Sequence, residues 1–177
     1  AGLPTLLDHA VVANRHPLRR AVFRLAAGAM AGFRATLRAA HFTEIQSPKL
    51  VASATESGAN VFKLEYFGGN AFLAQSPQFY KQIMVGVFAR VFEVGPVFRA
   101  EPHDTTRHVN EYVSLDVEFG FIENHFTVMA MVRMVLAGIF QTLAEEYVAE
   151  LALLKTSVPE VPEQIPHIHF AEAQELI

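Results

Sequence analysis

The 177 residues contain no cysteine and no tryptophan. Without Cys there is no disulfide framework, no thiolate metal site and no Cys nucleophile, and the composition fits a reducing compartment. A long uninterrupted apolar run is also missing. The most apolar stretch, Phe126 to Leu154, is broken by Arg133, Glu145, Glu146 and Glu150, so it reads as a helix of a soluble protein rather than a span, and no membrane partner is expected. A net charge of −4 argues against broad attraction to nucleic acid, leaving room for a local basic patch. There is no phosphate loop and no dinucleotide fingerprint, and Ser76 and Ser114 lack a nucleophile-elbow context. Residues 1–10 include Pro4, Asp8 and His9 and lack the basic-then-apolar order of a signal peptide, so the expected location is cytoplasmic.

What is present is apolar bulk. Hydrophobic residues make up 51% of the chain and fifteen are Phe, enough for a substantial core in one domain or a large piece of one. The sequence starts without Met and ends inside a helical pattern at residues 175–177, so a piece of a longer protein is expected.

Residues 1–15 read as extended or irregular. Pro17 suits the first turn of a helix in which Val22, Leu25, Ala29, Phe33 and Leu37 recur at helical spacing. Gly28 and Gly32 weaken that helix but admit a second backbone, either local or from another subunit. Residues 41–48 suggest a short strand stopped by Pro48, and 49–54 a connector. Val61 to Tyr66 and Ala71 to Ala74, around Gly68-Gly69, form a hairpin pattern. Gln78 to Ala89 is a helix with Tyr80, Met84 and Val87 on one face. The long helix 126–154 should bury Val128, Met131, Val135, Ile139, Thr142 and Leu143, with its Met residues as core filling. Pro159, Pro162 and Pro166 mark a loop before a last helix at Phe170.

The most informative stretch is Arg90 to Ile122, two strands joined by a polar loop. In the first, Phe92, Val94 and Phe98 share a side and Arg99 stands at the end. In the second, Val113, Leu115, Val117, Phe119 and Phe121 should face the core. Tyr112, Ser114, Asp116, Glu118 and Gly120 should face a pocket floor. The loop carries Arg99, Glu101, His103, Asp104, Arg107 and His108, a mixture suited to a polyanionic ligand beside a cationic one. Glu101, His103, Asp104 and His108 could also ligate zinc, although their spacing follows no standard metal pattern. The succession of hairpin-like strands without regular βαβ alternation points to α+β, an antiparallel β-sheet flanked by helices.

VFEVGPVFRAEPHDTTRHVNEYVSLDVEFGFI resembles the second signature of class II aminoacyl-tRNA synthetases, as found in aspartyl-tRNA synthetases. HFTEIQSPKL is similar to the first signature, TESGANVF and FLAQSPQFYKQ resemble the aspartyl family, and LAQSPQFYKQ and RHVNEYVSLDVE look like its archaeal and eukaryotic form. The resemblance implies that residues 1–177 are the N-terminal part of a class II catalytic domain. The third signature, the magnesium-binding acids before it and the anticodon-binding barrel are not among them.

It further implies ATP-dependent activation of L-aspartate and transfer to tRNA. Arg99 would hold the α-phosphate and the attacking carboxylate, Glu101 the adenine side, and Arg107, His108 and Val109 the ATP tail. Lys81, helped by Gln78, would read the substrate side-chain carboxylate, and Glu56 and Asp116 would surround its ammonium. The implied partners are tRNA, L-aspartate, ATP and a second copy bound through residues 18–50. Magnesium would accompany ATP, with ligands mainly outside these residues and no metal held within them. A synthetase-like asparagine synthetase passing aspartyl-adenylate to ammonia, and a non-catalytic module, are the alternatives.

Overall fold

The computed structural model describes residues 2–54, 60–103, 105 and 107–176. In chain order its elements are α1 (Leu3–Asp8), α2 (Ala10–Ala13), α3 (Pro17–Ala39), β1 (Thr43–Glu44), β2 (Leu50–Val51), β3 (Lys63–Tyr66) and β4 (Gly69–Leu73). There follow α4 (Gln78–Phe88), β5 (Arg90–Phe98), β6 (Glu111–Phe119), α5 (His125–Glu146), α6 (Val148–Leu154) and α7 (Phe170–Glu175). The chain divides into two compact units, Ala1–Phe33 with Phe126–Ile177, and Arg34–His125.

The first unit is helical. Its N-terminal segment is not irregular as the sequence suggested. Pro4 sits in the opening turn of α1, where its missing N–H is no loss. The glycines of α3 settle the open question about their partner within the chain. A Cβ on Gly28 would lie 2.5 Å from Tyr147 Cε2 and 2.9 Å from Leu143 Cδ2. One on Gly32 would lie 2.8 Å from Thr142 Oγ1 and 3.0 Å from the Ile139 Cα. The bare backbone of α3 is thus filled by α5 and Tyr147, the local one of the two alternatives.

The long helix breaks at Tyr147, which lies outside the helical range of both α5 and α6. Val135 and Ile139 are buried as expected, whereas Val128 and Met129 are more than a third exposed. By length and hydropathy alone α5 could cross a membrane. Its mid-helix Arg133, however, donates from Nε to the Pro162 carbonyl at 2.7 Å. An open cleft of about 840 Å³ lies beside the start of α5, lined by Phe126, Met129, Val132, Arg133, Ile165 and His167.

The second unit holds two three-stranded sheets, ordered β1-β5-β6 and β2-β4-β3. The α+β expectation of antiparallel pairing flanked by helices holds, with one addition: β1 runs parallel to β5. The expected hairpin is β3–β4. Residues 50–51, read as connector, are instead a strand pairing with β4. Phe42, Ile45, Val91, Phe92, Val94 and Val97 are buried and form the core around β5, with Leu37 from the end of α3.

The faces of β6 depart from expectation. Val113 and Leu115 are 52% and 37% exposed, whereas Ser114, Asp116 and Glu118 are partly covered. β6 is the edge strand of its sheet, and its apolar face is covered mainly toward Phe119, whose ring meets Phe42 edge-on at 5.8 Å. The strand ends at Phe119, so Phe121 does not join the core. It has a positive φ of 58° and is 91% exposed. Gly120 lets the turn press against α4, because a Cβ there would lie 2.9 Å from Val85 Cγ1.

Candidate active site

The site is built on the side of the β5–β6 pair opposite that apolar face. Register sets Glu93 against Asp116, Gly95 against Ser114, Val97 against Tyr112 and Val91 against Glu118. Residues directly opposed across an antiparallel pair project to the same face. Asp116 and Glu118 therefore share a surface with Glu93, and strict alternation places Arg99, just past the strand end, on that surface too.

α4 closes over this face. It opens at Gln75-Ser76-Pro77, where Ser76 Oγ accepts from the Gln78 backbone N–H at 3.1 Å. The helix buries Lys81, which is only 4% exposed. Val87, grouped by spacing on one face with Tyr80 and Met84, is 67% exposed, and Phe79 and Ile83 are exposed with it. The covered side runs through Lys81 and the partly covered Tyr80, Met84 and Val85.

A buried ammonium requires anionic partners. Lys81 Nζ lies 2.9 Å from Asp116 Oδ1 and 3.6 Å from Glu118 Oε2. Gln78 Nε2 donates to Glu118 Oε2 at 3.2 Å. The structure thus brings together three of the predicted residues, Gln78, Lys81 and Asp116, and adds Glu118. The group has two carboxylates to one ammonium, so it offers a cationic ligand an acid and an anionic ligand a lysine.

Arg99 is half-buried, and its backbone N–H donates to Asn110 O at 2.9 Å. Counting six residues along β5 from Glu93, which stands opposite Asp116, its Cα lies ~20 Å from that position. Arg99 and Asp116 thus mark two ends of one face rather than a contact. The loop between them is folded on itself. The Glu101 N–H donates to Asn110 Oδ1 at 3.1 Å and to Arg99 O at 2.8 Å. Thr105 Oγ1 and His108 Nδ1 are 2.6 Å apart, and the Arg107 N–H donates to Thr105 Oγ1 at 3.3 Å. Arg107, His108 and Val109 are all exposed.

His103 and His108 rings meet edge-on at 5.0 Å. Among the described residues no three His, Asp or Glu side chains gather as a metal site. Glu56 and Asp104 lie outside the described residues.

Sequence reasoning missed a second ion pair on the same face. Glu93 is 1% exposed and is held by Lys49 Nζ, with Ser47 Oγ donating to Oε2 at 2.7 Å and the Ser47 N–H to Oε1 at 3.3 Å. The signal was available, since a period of two from Arg99 backwards reaches Glu93.

The profile of the class II tRNA synthetases (D, K and N) matches residues 3–177. The chain belongs to this family. Within it, the chain is 51% identical over 173 residues to the aspartate–tRNA(Asp/Asn) ligase of Deinococcus radiodurans, covering 98% of this chain and 40% of that protein. It is 46% identical to the aspartate–tRNA(Asp/Asn) ligase of Aeropyrum pernix, covering 100% of this chain and 40% of the relative. The chain thus spans about 40% of the length of the curated relatives it matches.

Among solved structures it resembles the asparaginyl-tRNA synthetase of Pyrococcus horikoshii complexed with asparaginyl-adenylate. The TM-score is 0.90 at 27% identity, over 99% of this chain and 41% of the other. The aspartyl tRNA synthetase of Entamoeba histolytica gives a TM-score of 0.73 at 33% identity, over 90% and 29% of the two chains. As in those class II synthetases, the fold is α+β with antiparallel strands flanked by helices.

Proposed function

We propose that this chain supplies the amino-acid site and part of the ATP site of an aspartate–tRNA ligase. The observation that carries the reading is the buried Lys81 between Asp116 and Glu118, with Gln78 beside them. A free amino acid with a carboxylate side chain presents an ammonium and an anion a few ångströms apart. Asp116 and Glu118 suit the ammonium, with Glu56 assigned to the same role, and Lys81 suits the side-chain carboxylate. Asparagine has no charge to offer that lysine, and a site built around a charge rejects a neutral isostere strongly.

In the first step an oxygen of the aspartate α-carboxylate forms a bond to the α-phosphorus of ATP, and the bond to the departing pyrophosphate breaks. Arg99 bears on both reacting groups, because its planar fork of N–H donors fits a carboxylate or phosphate in two-point fashion. Glu101 is assigned to the adenine side and the loop of Arg107, His108 and Val109 to the β- and γ-phosphates. In the second step a ribose hydroxyl at the tRNA 3′ end attacks the activated carbonyl and AMP leaves. No side chain bonds covalently to the substrate, so the rate derives from positioning and charge stabilisation. Magnesium supplies further charge neutralisation on the phosphates when bound, and the acids that would hold it are assigned to the part of the catalytic domain beyond these residues.

The partners follow: L-aspartate, ATP, tRNA and a second copy. Leu18, Val22 and Phe23 at the start of α3 are exposed apolar residues and support an interface through residues 18–50. A cytoplasmic setting is supported by similarity to the Caenorhabditis elegans aspartate–tRNA ligase, cytoplasmic, at 43% identity. The test is aminoacylation by the full-length protein with labelled aspartate. Aspartyl-tRNA formation is expected, whereas release of asparagine from aspartate, ATP and ammonia would assign the chain to the asparagine-forming branch.

A further inference from the structure

Resting on the aspartate reading of the site, we propose that Lys49 is a positioning residue for amino-acid recognition. It neutralises Glu93 so that Lys81 stays committed to Asp116, Glu118 and the substrate. Glu93 and Asp116 stand directly opposite each other on β5 and β6. Side chains so placed have Cβ atoms roughly 5 Å apart, and like charges there repel. Each acid nevertheless has its own cation from a different part of the fold. Lys49 reaches Glu93 from the segment before β2, and Lys81 reaches Asp116 from α4.

The Glu93 site is tightly specified. Lys49 Nζ also donates to Ser47 Oγ at 3.0 Å, and Ser47 donates twice to the same carboxylate. Gly95, the next residue on that face, leaves the space free, since a Cβ there would come 3.0 Å from Glu93 Oε1 and 3.4 Å from Lys49 Cε. Glu93 is 1% exposed, so water cannot screen it. Without Lys49 its charge would fall on the neighbouring cation, Lys81, and compete with the substrate carboxylate for it. Without the Glu93 charge, Lys49 would compete with the substrate ammonium for Asp116.

The reciprocal dependence gives the test, made on full-length protein by pyrophosphate exchange. Lys49→Met and Glu93→Gln are each expected to raise the KM for aspartate about tenfold while the KM for ATP moves less than about twofold, a split that isolates amino-acid binding. The double variant K49M/E93Q, which removes both charges, is expected to recover aspartate KM to within about threefold of the parent. Lys49→Arg keeps the charge and should keep the KM. A purely structural pin predicts otherwise: equal changes in both KM values, or a double variant no better than either single one, and either result overturns the proposal. Glu93→Gln preserves shape and decides the matter if Lys49→Met fails to fold. If the unaltered protein shows no aspartate-dependent exchange, the aspartate reading itself fails. If it does, and both single variants keep the parent's aspartate KM, only the role of Lys49 is refuted.

Discussion

Replacing Lys81 by methionine keeps most of the apolar stem and removes the ammonium between two carboxylates. Lys81 is 4% exposed, and the side chains of Asp116 and Glu118 are 17% and 27% exposed. Removing one partner of a buried pair costs about 3–5 kcal/mol, mostly from the charge left uncompensated. The lower end applies, because both acids keep some water and Gln78 still donates to Glu118. With about 3 kcal/mol lost, the midpoint of thermal unfolding should fall by roughly 6–12 °C for a chain of 177 residues. Adding Asp116→Asn to K81M should recover much of the loss, since the acid nearest the missing ammonium is then neutral and Glu118 keeps its Gln78 donor. The assay is calorimetry or circular dichroism on parent, single and double variants. A single variant within about 1 kcal/mol of the parent, or a double variant less stable than the single, would refute the argument that this pair is buried and mutually dependent.

Arg99→Lys keeps the charge but loses the two-point fork, so kcat for aspartate-dependent exchange should fall about 10²- to 10³-fold in steady-state kinetics. Gly32→Val places a branched side chain against Thr142 Oγ1 and the Ile139 backbone, and unfolding measurements should show a loss of about 1–3 kcal/mol. For Glu44, burial alone would raise the carboxyl pKa, but hydrogen bonds and charge from Arg34 and Arg38 outweigh it and hold the group below its ordinary 4.5. Its contribution to stability is therefore complete above the unfolded value and lost as pH falls through the lowered folded one. Arg34→Met should flatten the decline in urea midpoint measured from about pH 6 down to about pH 3.

The parts of the fold most legible in the sequence were those whose periodicity was reinforced by punctuation. The β5–β6 pair, the β3–β4 hairpin and α4 behind Ser76-Pro77 all appear close to where their patterns put them. Gln78 and Lys81 were legible through the resemblance of their segment to the synthetase family, and Asp116 also because alternation set it on the polar face of β6. Pairings between short distant segments were not legible. β2 is two residues long and is defined by its partner β4, and β1 joins β5 in parallel from more than forty residues away.

Which face of a strand is covered is a tertiary property. The alternation in β6 sorted its residues correctly into two faces, but Val113 and Leu115 lie at the open end of the apolar one. Glu93 escaped notice because it is a single acid within a strand otherwise read for its apolar side. Its importance emerges only when register sets it opposite Asp116. The break at Tyr147 was hidden by an unbroken run of helix-forming residues. The aromatic ring there is the group that fills the space left by Gly28.

The most direct test of the account is amino-acid-dependent ATP–pyrophosphate exchange by the full-length protein, run in parallel with aspartate and asparagine. The charge recognition centred on Lys81 predicts exchange with aspartate and at least about 10³-fold less with asparagine. Comparable exchange with both, or exchange with asparagine alone, would contradict it.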